Sequence, residues 1–157
     1  MRAVALGVAT ACGVGRAPVA PGTFGSAVGL VLYLPLTALG LPLYALTVVA
    51  LLFLGIWAAD VAERVYGVKD DGRIVIDEVV GQLITLAPLL VLTPGPQSLL
   101  GLVTGFVVFR LFDIWKPGPV RWAEQNFRGG VGVMMDDVIA GLLSALALGA
   151  AVLAGQA

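Results

Sequence analysis

Long apolar stretches alternate with short charged segments along this chain. Residues 17–59 contain no Asp, Glu, Lys or Arg, residues 60–78 contain nine, residues 79–109 contain none, residues 110–137 contain eight, and residues 138–157 contain none. A helix crosses a bilayer with about 20 apolar residues, and about 17 suffice. The uncharged stretches are therefore long enough to supply membrane-spanning helices, with the charged segments falling between them.

Two of the uncharged stretches contain a break. Residues 40–42 read GLP and residues 93–96 read TPGP, and glycine and proline end helices and allow tight turns. Each stretch is predicted to form a helical hairpin, and the second helix of 79–109 reaches a spanning length only by continuing into the charged segment. Residues 138–154 supply a further span. The sequence thus predicts one domain over 1–157 with an all-α fold, a polytopic membrane bundle of about five helices.

The composition agrees with this prediction. Hydrophobic residues make up 59% of the chain and charged residues 12%, whereas a soluble domain is about half apolar and a quarter charged. A soluble, unusually hydrophobic helical bundle is the alternative. The net charge of −1 lacks the basic excess that nucleic-acid binding requires. Because the chain has no histidine and one cysteine, a catalytic base or metal ligand must be a carboxylate, a hydroxyl, a lysine or a backbone group.

The hairpins predict how the charges are arranged. A hairpin leaves the membrane on the side it entered, so the N-terminal segment and both charged segments should share one face. All nine Lys and Arg residues fall in these segments and none in the hairpin turns. Positive residues mark the cytoplasmic side. The sequence therefore predicts a charged layer on the cytoplasmic face and a C-terminus on the opposite side.

Ionic side chains gather where the charged segments meet the apolar runs. They are Asp77, Glu78, Arg110, Asp113, Lys116, Asp136 and Asp137. Singly, each has a structural explanation: salt bridges at i,i+3 spacing, acids near a helix N-terminus or N-caps. Five carboxylates on one face without histidine favour instead a hard cation such as Mg²⁺, which takes carboxylate and water ligands and is often shared with substrate phosphate. The arginine and the lysine would then contact phosphate.

Two glycine-rich segments accompany these groups. GVGRAPVAPGTFGS, residues 13–26, precedes the first span, and a glycine-rich turn that opens a helix offers backbone N–H groups to an anion. This segment lacks the Walker pattern. Gly129, Gly130 and Gly132 precede the second pair of aspartates, where they predict a flexible approach to the last helix.

Four segments together resemble the phosphatidylglycerophosphatase A family: GRAPVAPGTFGS (15–26), IDEVVGQ (76–82), FRLFDIWKPGPVRW (109–122) and GGVGVMMDDVIAG (129–141). The resemblance implies an all-helical enzyme of the bacterial inner membrane. It also implies Mg²⁺-dependent hydrolysis of phosphatidylglycerophosphate to phosphatidylglycerol and phosphate. One position departs from the family pattern, because Gly118 stands where tryptophan is common.

The resemblance also implies site residues. The matching acidic and basic positions are Asp77, Glu78, Asp113, Lys116, Asp136 and Asp137, and the phosphate-binding positions are Arg110, Lys116, Pro21, Gly22 and Thr23. The hypothesis is that the five carboxylates hold one or two Mg²⁺ ions and that Asp136 or Asp137 takes a proton from the attacking water. A covalent aspartyl-phosphate is the alternative mechanism.

Two other kinds of protein stay as alternatives. CDP-alcohol phosphotransferases also use clustered aspartates and Mg²⁺ at a membrane face, but their D-G-x₂-A-R pattern begins at Asp71 and Gly72 and does not continue. A non-catalytic membrane protein, such as a small transporter or a structural subunit, would not need paired acids at two separate helix ends, and both predicted hairpins are uncharged at their centres.

Overall fold

The computed structural model describes residues 1–93 and 95–156. This part of the chain is helical and contains no strand, as the sequence predicts. The α-helices are α1 (Arg2–Ala9), α2 (Pro21–Leu36), α3 (Gly40–Tyr66), α4 (Ile76–Leu92), α5 (Leu99–Trp115), α6 (Gly118–Asn126) and α7 (Gly129–Gln156). Short 3-10 turns occupy Val14–Arg16 and Thr37–Leu39.

Helix α2 runs in the same direction as α4. Gly22 lies against the side chain of Glu78, and Gly29, about two turns further along α2, lies against Gln82. The glycines let the two helices approach so closely that a Cβ at Gly29 would lie 2.8 Å from the Cβ of Gln82. The first turn of α2 is thereby held beside the first turn of α4.

Helix α3 runs in the opposite direction to α4, so α2 and α3 form the predicted hairpin. The hydroxyl of Tyr44, near the start of α3, donates to the carbonyl of Leu83 at 2.6 Å. Further along α3, Gly55 packs against Ile76, the first residue of α4. Gly40 has a φ of +68° where the chain reverses, a backbone conformation that glycine adopts readily.

Helix α5 forms the second hairpin with α4. Gly105 packs against Leu86 of α4 and Leu148 of α7, and α5 continues as far as Trp115. The predicted extension of this helix into the charged segment is confirmed. The helix ends before Pro117, whose ring disfavours a helical conformation in the preceding residue.

The start of α7 differs from the prediction. Gly129 is the first residue of the helix, so the glycines are part of α7 and do not form a flexible approach. Gly130 packs against the backbone of Ile56 in α3, which only a residue without a side chain permits. Asp136 and Asp137 consequently lie about two turns inside α7, and interpreting them as helix N-caps is wrong.

The surface of the bundle is strongly apolar. Leu146 is 72% exposed and Leu99 is 76% exposed, and many other large apolar side chains are exposed beside them. Two described segments, Pro21–Tyr66 and Gly129–Gly155, are long and apolar enough to cross a membrane. Large exposed apolar surfaces mark sites of contact with membranes or other proteins. The first of these segments contains both helices of the first hairpin, and the count of five spans stays a prediction.

Candidate active site

The predicted acids meet at one end of the bundle. Helix α4 supplies Asp77 and Glu78 in its first turn, α5 supplies Asp113 in its last turn, and α7 supplies Asp136 and Asp137. The four aspartates are buried, with exposed fractions between 3% and 9%. Aspartate is almost never fully buried without a partner, so the partners of each carboxylate show how this end of the molecule is built.

Three of the acids form a compact group, which we name the acid triad: Asp77, Glu78 and Asp137. Each offers one carboxylate oxygen, and these oxygens all lie within 4.8 Å of one another. One oxygen of each acid is buried and has no hydrogen-bond partner: Oδ1 of Asp77, Oε2 of Glu78 and Oδ2 of Asp137. Buried carboxylates need a cation or hydrogen-bond donors to offset the loss of hydration. The triad therefore has the composition of a site for a hard divalent cation.

Arg110 lies beside the acid triad. Its Nη1 is 2.6 Å from Oδ2 of Asp113 and 3.9 Å from Oε1 of Glu78. The same nitrogen donates to the hydroxyl of Ser26 in α2 at 3.3 Å. The predicted i,i+3 pair of Arg110 and Asp113 is present, and it holds a guanidinium group at the edge of the acid triad.

In a second group every charged side chain has an ion-pair partner, and we name this group the lysine cluster: Lys116, Glu124 and Asp136. Nζ of Lys116 lies 2.5 Å from Oδ2 of Asp136 and 3.0 Å from Oε1 of Glu124. Burial alone would lower the pKa of Lys116, but the bonds to Asp136 and Glu124 outweigh it and raise that pKa overall. The lysine therefore stays charged.

The backbone of Lys116 makes this pairing possible. The residue adopts a left-handed conformation with a φ of +47°, directly before Pro117. This turn ends α5 and begins the connection to α6, which carries Glu124. Asp136 and Asp137 point in different directions because successive residues of a helix are about 100° apart. The lysine cluster and the acid triad therefore share α7 without sharing side chains.

The predicted phosphate-binding segment forms the first turn of α2. A Cβ at Gly22 would clash with the carboxylate of Glu78 and lie 3.3 Å from Nη1 of Arg110. The backbone N–H of Thr23 donates to the carbonyl of Ala20 at 3.0 Å. Gly22 thus makes room for the carboxylate of Glu78, and Thr23 can offer its hydroxyl but not its N–H group.

Two buried polar residues were not predicted as part of the site. Ser26 accepts the hydrogen bond from Arg110. Gln82 has an exposed fraction of 0% and no partner for either polar atom of its amide. Gln82 is a glutamine inside an otherwise apolar run and ends the family segment 76–82, and Ser26 ends the glycine-rich segment 13–26, but neither was singled out as a site residue. Glu124 of the lysine cluster gave no signal beyond its charge.

The family described as Phosphatidylglycerophosphatase A matches residues 7–152. The chain belongs to the phosphatidylglycerophosphatase A family. The match covers every residue of the acid triad and the lysine cluster. No solved structure matches the chain.

Individual relatives extend this result. Phosphatidylglycerophosphatase A of Escherichia coli is 38% identical over 138 residues, which cover 88% of this chain and 77% of the relative. The Haemophilus influenzae protein of the same name is 34% identical over 128 residues, covering 81% and 76%. A Bacteroides thetaiotaomicron protein named "Putative phosphatidylinositol-3-phosphatase" is 46% identical over 143 residues, covering 87% and 86%. All three names describe phosphatases of phospholipids.

Proposed function

We propose that this protein hydrolyses the terminal phosphomonoester of phosphatidylglycerophosphate, releasing phosphatidylglycerol and inorganic phosphate. Membership of the family and the names of two relatives support this substrate. The structural observation that carries the proposal is the acid triad, whose buried and unpaired oxygens lie beside a partly buried arginine. Carboxylates that bind a cation next to a guanidinium that binds anions are what phosphate chemistry requires.

The acid triad is proposed to hold Mg²⁺. Asp77, Glu78 and Asp137 fit this ion because all three ligands are carboxylate oxygens and each has an unpaired, buried oxygen. When bound, Mg²⁺ would neutralise charge on the phosphoryl group and lower the pKa of a coordinated water. Asp113 and Asp136 stay predicted ligands, although each faces a cation of the protein, Arg110 and Lys116 respectively.

The remaining side chains have distinct roles in the proposed reaction. Arg110, held in place by Asp113, binds the phosphoryl oxygens and neutralises their charge. Lys116 is the second predicted phosphate contact, and Gly22 leaves room for the carboxylate of Glu78 beside Arg110. Asp137 takes the proton from the attacking water, because Asp136 already accepts from Lys116 and from the backbone of Asp137. Incorporation of ¹⁸O from water into a carboxylate during one turnover would indicate an aspartyl-phosphate instead.

The proposal places the protein in the bacterial inner membrane with five spans, formed by α2, α3, α4, α5 and α7, and with the active site on the cytoplasmic face. Helices α4 and α5 have 17 residues each, about 26 Å at 1.5 Å per residue, which approaches the thickness of the hydrocarbon core. A lipid phosphate lies just outside that core. Catalytic groups at helix ends would reach it while the acyl chains stay in the bilayer.

The Bacteroides relative supports a second candidate substrate, phosphatidylinositol 3-phosphate. Both candidates carry a phosphomonoester on a lipid head group, so the same triad would serve either reaction. They differ in what surrounds the phosphate, because inositol is a bulky ring and glycerol a short chain. Head-group selectivity therefore separates the two candidates.

The test is phosphate release by the purified chain in detergent micelles, measured with each lipid in Mg²⁺ and in EDTA. We expect release from phosphatidylglycerophosphate in Mg²⁺, little release in EDTA and a lower kcat/KM for phosphatidylinositol 3-phosphate. A higher kcat/KM for the inositol lipid would establish the second candidate. Folded protein that releases phosphate from neither lipid would contradict both.

A further inference from the structure

Gln82 is a fully buried amide without a hydrogen-bond partner. Its exposed fraction is 0%, and both Oε1 and Nε2 are unpaired. It lies in α4 among buried apolar residues such as Val79 and Leu83. Burying an amide without hydrogen bonds costs free energy that an apolar side chain of similar size would not. An amide at this position calls for a function that uses its hydrogen bonds.

The neighbours of Gln82 show that it lies close to the acid triad, one helical turn further along α4. Glu78 lies one turn earlier on α4, and helical side chains lean toward the preceding turn. Across the interface, Gly29 of α2 packs against the Cβ and Cγ of Gln82. Ser26, one turn before Gly29, accepts a hydrogen bond from Arg110. Gln82 therefore lies next to the point where Glu78, Ser26 and Arg110 meet.

The unpaired polar groups of Gln82, Glu78 and Arg110 are complementary as hydrogen-bond donors and acceptors. Oε2 of Glu78 is buried and needs a donor, and Nε of Arg110 is buried and needs an acceptor. The amide of Gln82 offers one group of each kind. Apart from Tyr33, every buried side-chain atom found unpaired in residues 1–93 and 95–155 belongs to this arginine, this glutamine or the acid triad.

We propose that Gln82 is a positioning residue that bridges Glu78 and Arg110. Its Nε2–H donates toward Oε2 of Glu78 and its Oε1 accepts from the direction of Nε–H of Arg110, in each case through one ordered water. The bridge joins a proposed metal ligand to a proposed phosphate contact and fixes their relative orientation. Pre-organised groups of this kind need no rearrangement when charge develops in the transition state. Gln82 itself touches neither the metal nor the phosphate.

The catalytic part of this proposal rests on the proposed phosphatase activity. The test variant is Gln82→Met, which keeps the length of the side chain and removes both hydrogen-bonding groups. The matched control is Thr85→Val in the same helix, where a buried hydroxyl donates to the carbonyl of Gly81 at 2.9 Å. With phosphatidylglycerophosphate and Mg²⁺ we expect Gln82→Met to lower kcat about 10- to 100-fold, with a smaller change in KM. Thr85→Val should keep the wild-type kcat.

A stability measurement tests the bridge without using catalysis. The purified full chain is unfolded by SDS titration without metal. The proteins compared are the wild type, Gln82→Met, Arg110→Lys and the double variant, and their unfolding constants form a double-mutant cycle. Arg110→Lys keeps the charge and removes the Nε donor. We expect the effect of Gln82→Met on the unfolding constant to differ about threefold or more between the two backgrounds, because groups in one hydrogen-bond network are not additive.

The outcomes separate the two proposals. An equal gain in stability from Gln82→Met in both backgrounds would show an unpaired amide and overturn the bridge. A coupled pair with unchanged kcat would overturn the positioning role. If wild-type protein released no phosphate, the proposed function would fail, and the cycle would still decide whether Gln82 bridges Glu78 and Arg110.

Discussion

The acid triad and the lysine cluster share one helix and differ in how their charges are balanced. In the lysine cluster, Lys116 contacts both Asp136 and Glu124, and its charge is matched within the protein. In the acid triad, Asp77, Glu78 and Asp137 bring three carboxylates within 4.8 Å and leave an oxygen of each unpaired. Asp136 and Asp137 are adjacent in α7, yet Asp136 belongs to the group whose members are paired and Asp137 to the group with unpaired oxygens.

This difference indicates that the lysine cluster stabilises the fold and that the acid triad binds a ligand. A paired cluster lowers the free energy of the folded chain relative to leaving either charge alone. A cluster of unpaired carboxylates raises the free energy of the folded chain, and a bound cation would offset that cost. The comparison predicts that substitutions in the triad affect activity and those in the lysine cluster affect stability.

The largest effect is expected from Asp137→Asn. The variant keeps the size of the side chain and removes one charge from the triad. We expect kcat to fall about 10³-fold, since losing a metal ligand or base removes several kcal/mol of transition-state stabilisation. Without metal, the thermal midpoint should rise, because two like charges repel less than three. Phosphate release and thermal unfolding measure the two effects. A fall in the midpoint would indicate that the triad is internally balanced.

Lys116→Met should mainly affect stability. The substitution leaves the buried carboxylate of Asp136 without its cation, and breaking a buried pair costs about 3 kcal/mol. Since Lys116 is also a predicted phosphate contact, kcat/KM should fall too, but less than for Asp137→Asn. The double variant Lys116→Met/Asp136→Leu should recover most of the lost free energy of unfolding. No recovery would mean that the ion pair with Asp136 does not explain the cost.

Gly22→Ala tests whether the carboxylate of Glu78 must keep its position against α2. The added methyl would meet the carboxylate of Glu78, a flexible group that can turn aside. We expect about a tenfold loss of kcat with a free energy of unfolding within about 1 kcal/mol of wild type, because a helical alanine is favourable in itself. Gly7→Ala in α1, where nothing lies within 4 Å of the added carbon, is the matched control. Full activity of Gly22→Ala would show that Glu78 need not keep its position.

The smallest effect is expected from Arg64→Ala. Arg64 pairs with Asp60 four residues earlier in α3, and its side chain is 76% exposed. Exposed pairs of this kind contribute less than about 0.5 kcal/mol. Chemical unfolding and phosphate release should both give values close to wild type. A large loss of activity would place a functional charge far from the acid triad.

The sequence predicted α2, α3, α4, α5 and α7, their hairpins and the meeting of the acids at one end, because all of these follow from where charges interrupt apolar runs. It did not predict α6. It failed at the start of α7. Gly129, Gly130 and Gly132 suggested a flexible approach to the helix, whereas Gly130 serves the close packing of α7 on Ile56 of α3. That use of glycine depends on a tertiary contact that no local pattern shows.

The separation of Asp136 from the acid triad was also beyond the sequence. Five carboxylates were predicted to act together, but Asp136 turns to Lys116 and Glu124. This pairing depends on the left-handed backbone at Lys116 and on the path of the chain into α6, neither of which a sequence pattern specifies. Gln82 was similarly hidden, since its meaning depends on unpaired atoms of Glu78 and Arg110 that only the packed helices reveal.

The most direct test of the account is metal binding by the two adjacent aspartates. Mn²⁺ accepts the same oxygen ligands as Mg²⁺, and its binding to the purified chain can be followed by electron paramagnetic resonance. We predict that wild-type protein binds Mn²⁺ in competition with Mg²⁺, that Asp137→Asn weakens binding at least about tenfold, and that Asp136→Asn changes it much less. Equal losses in the two variants, or no binding by folded wild-type protein, would contradict the assignment of the metal to the acid triad.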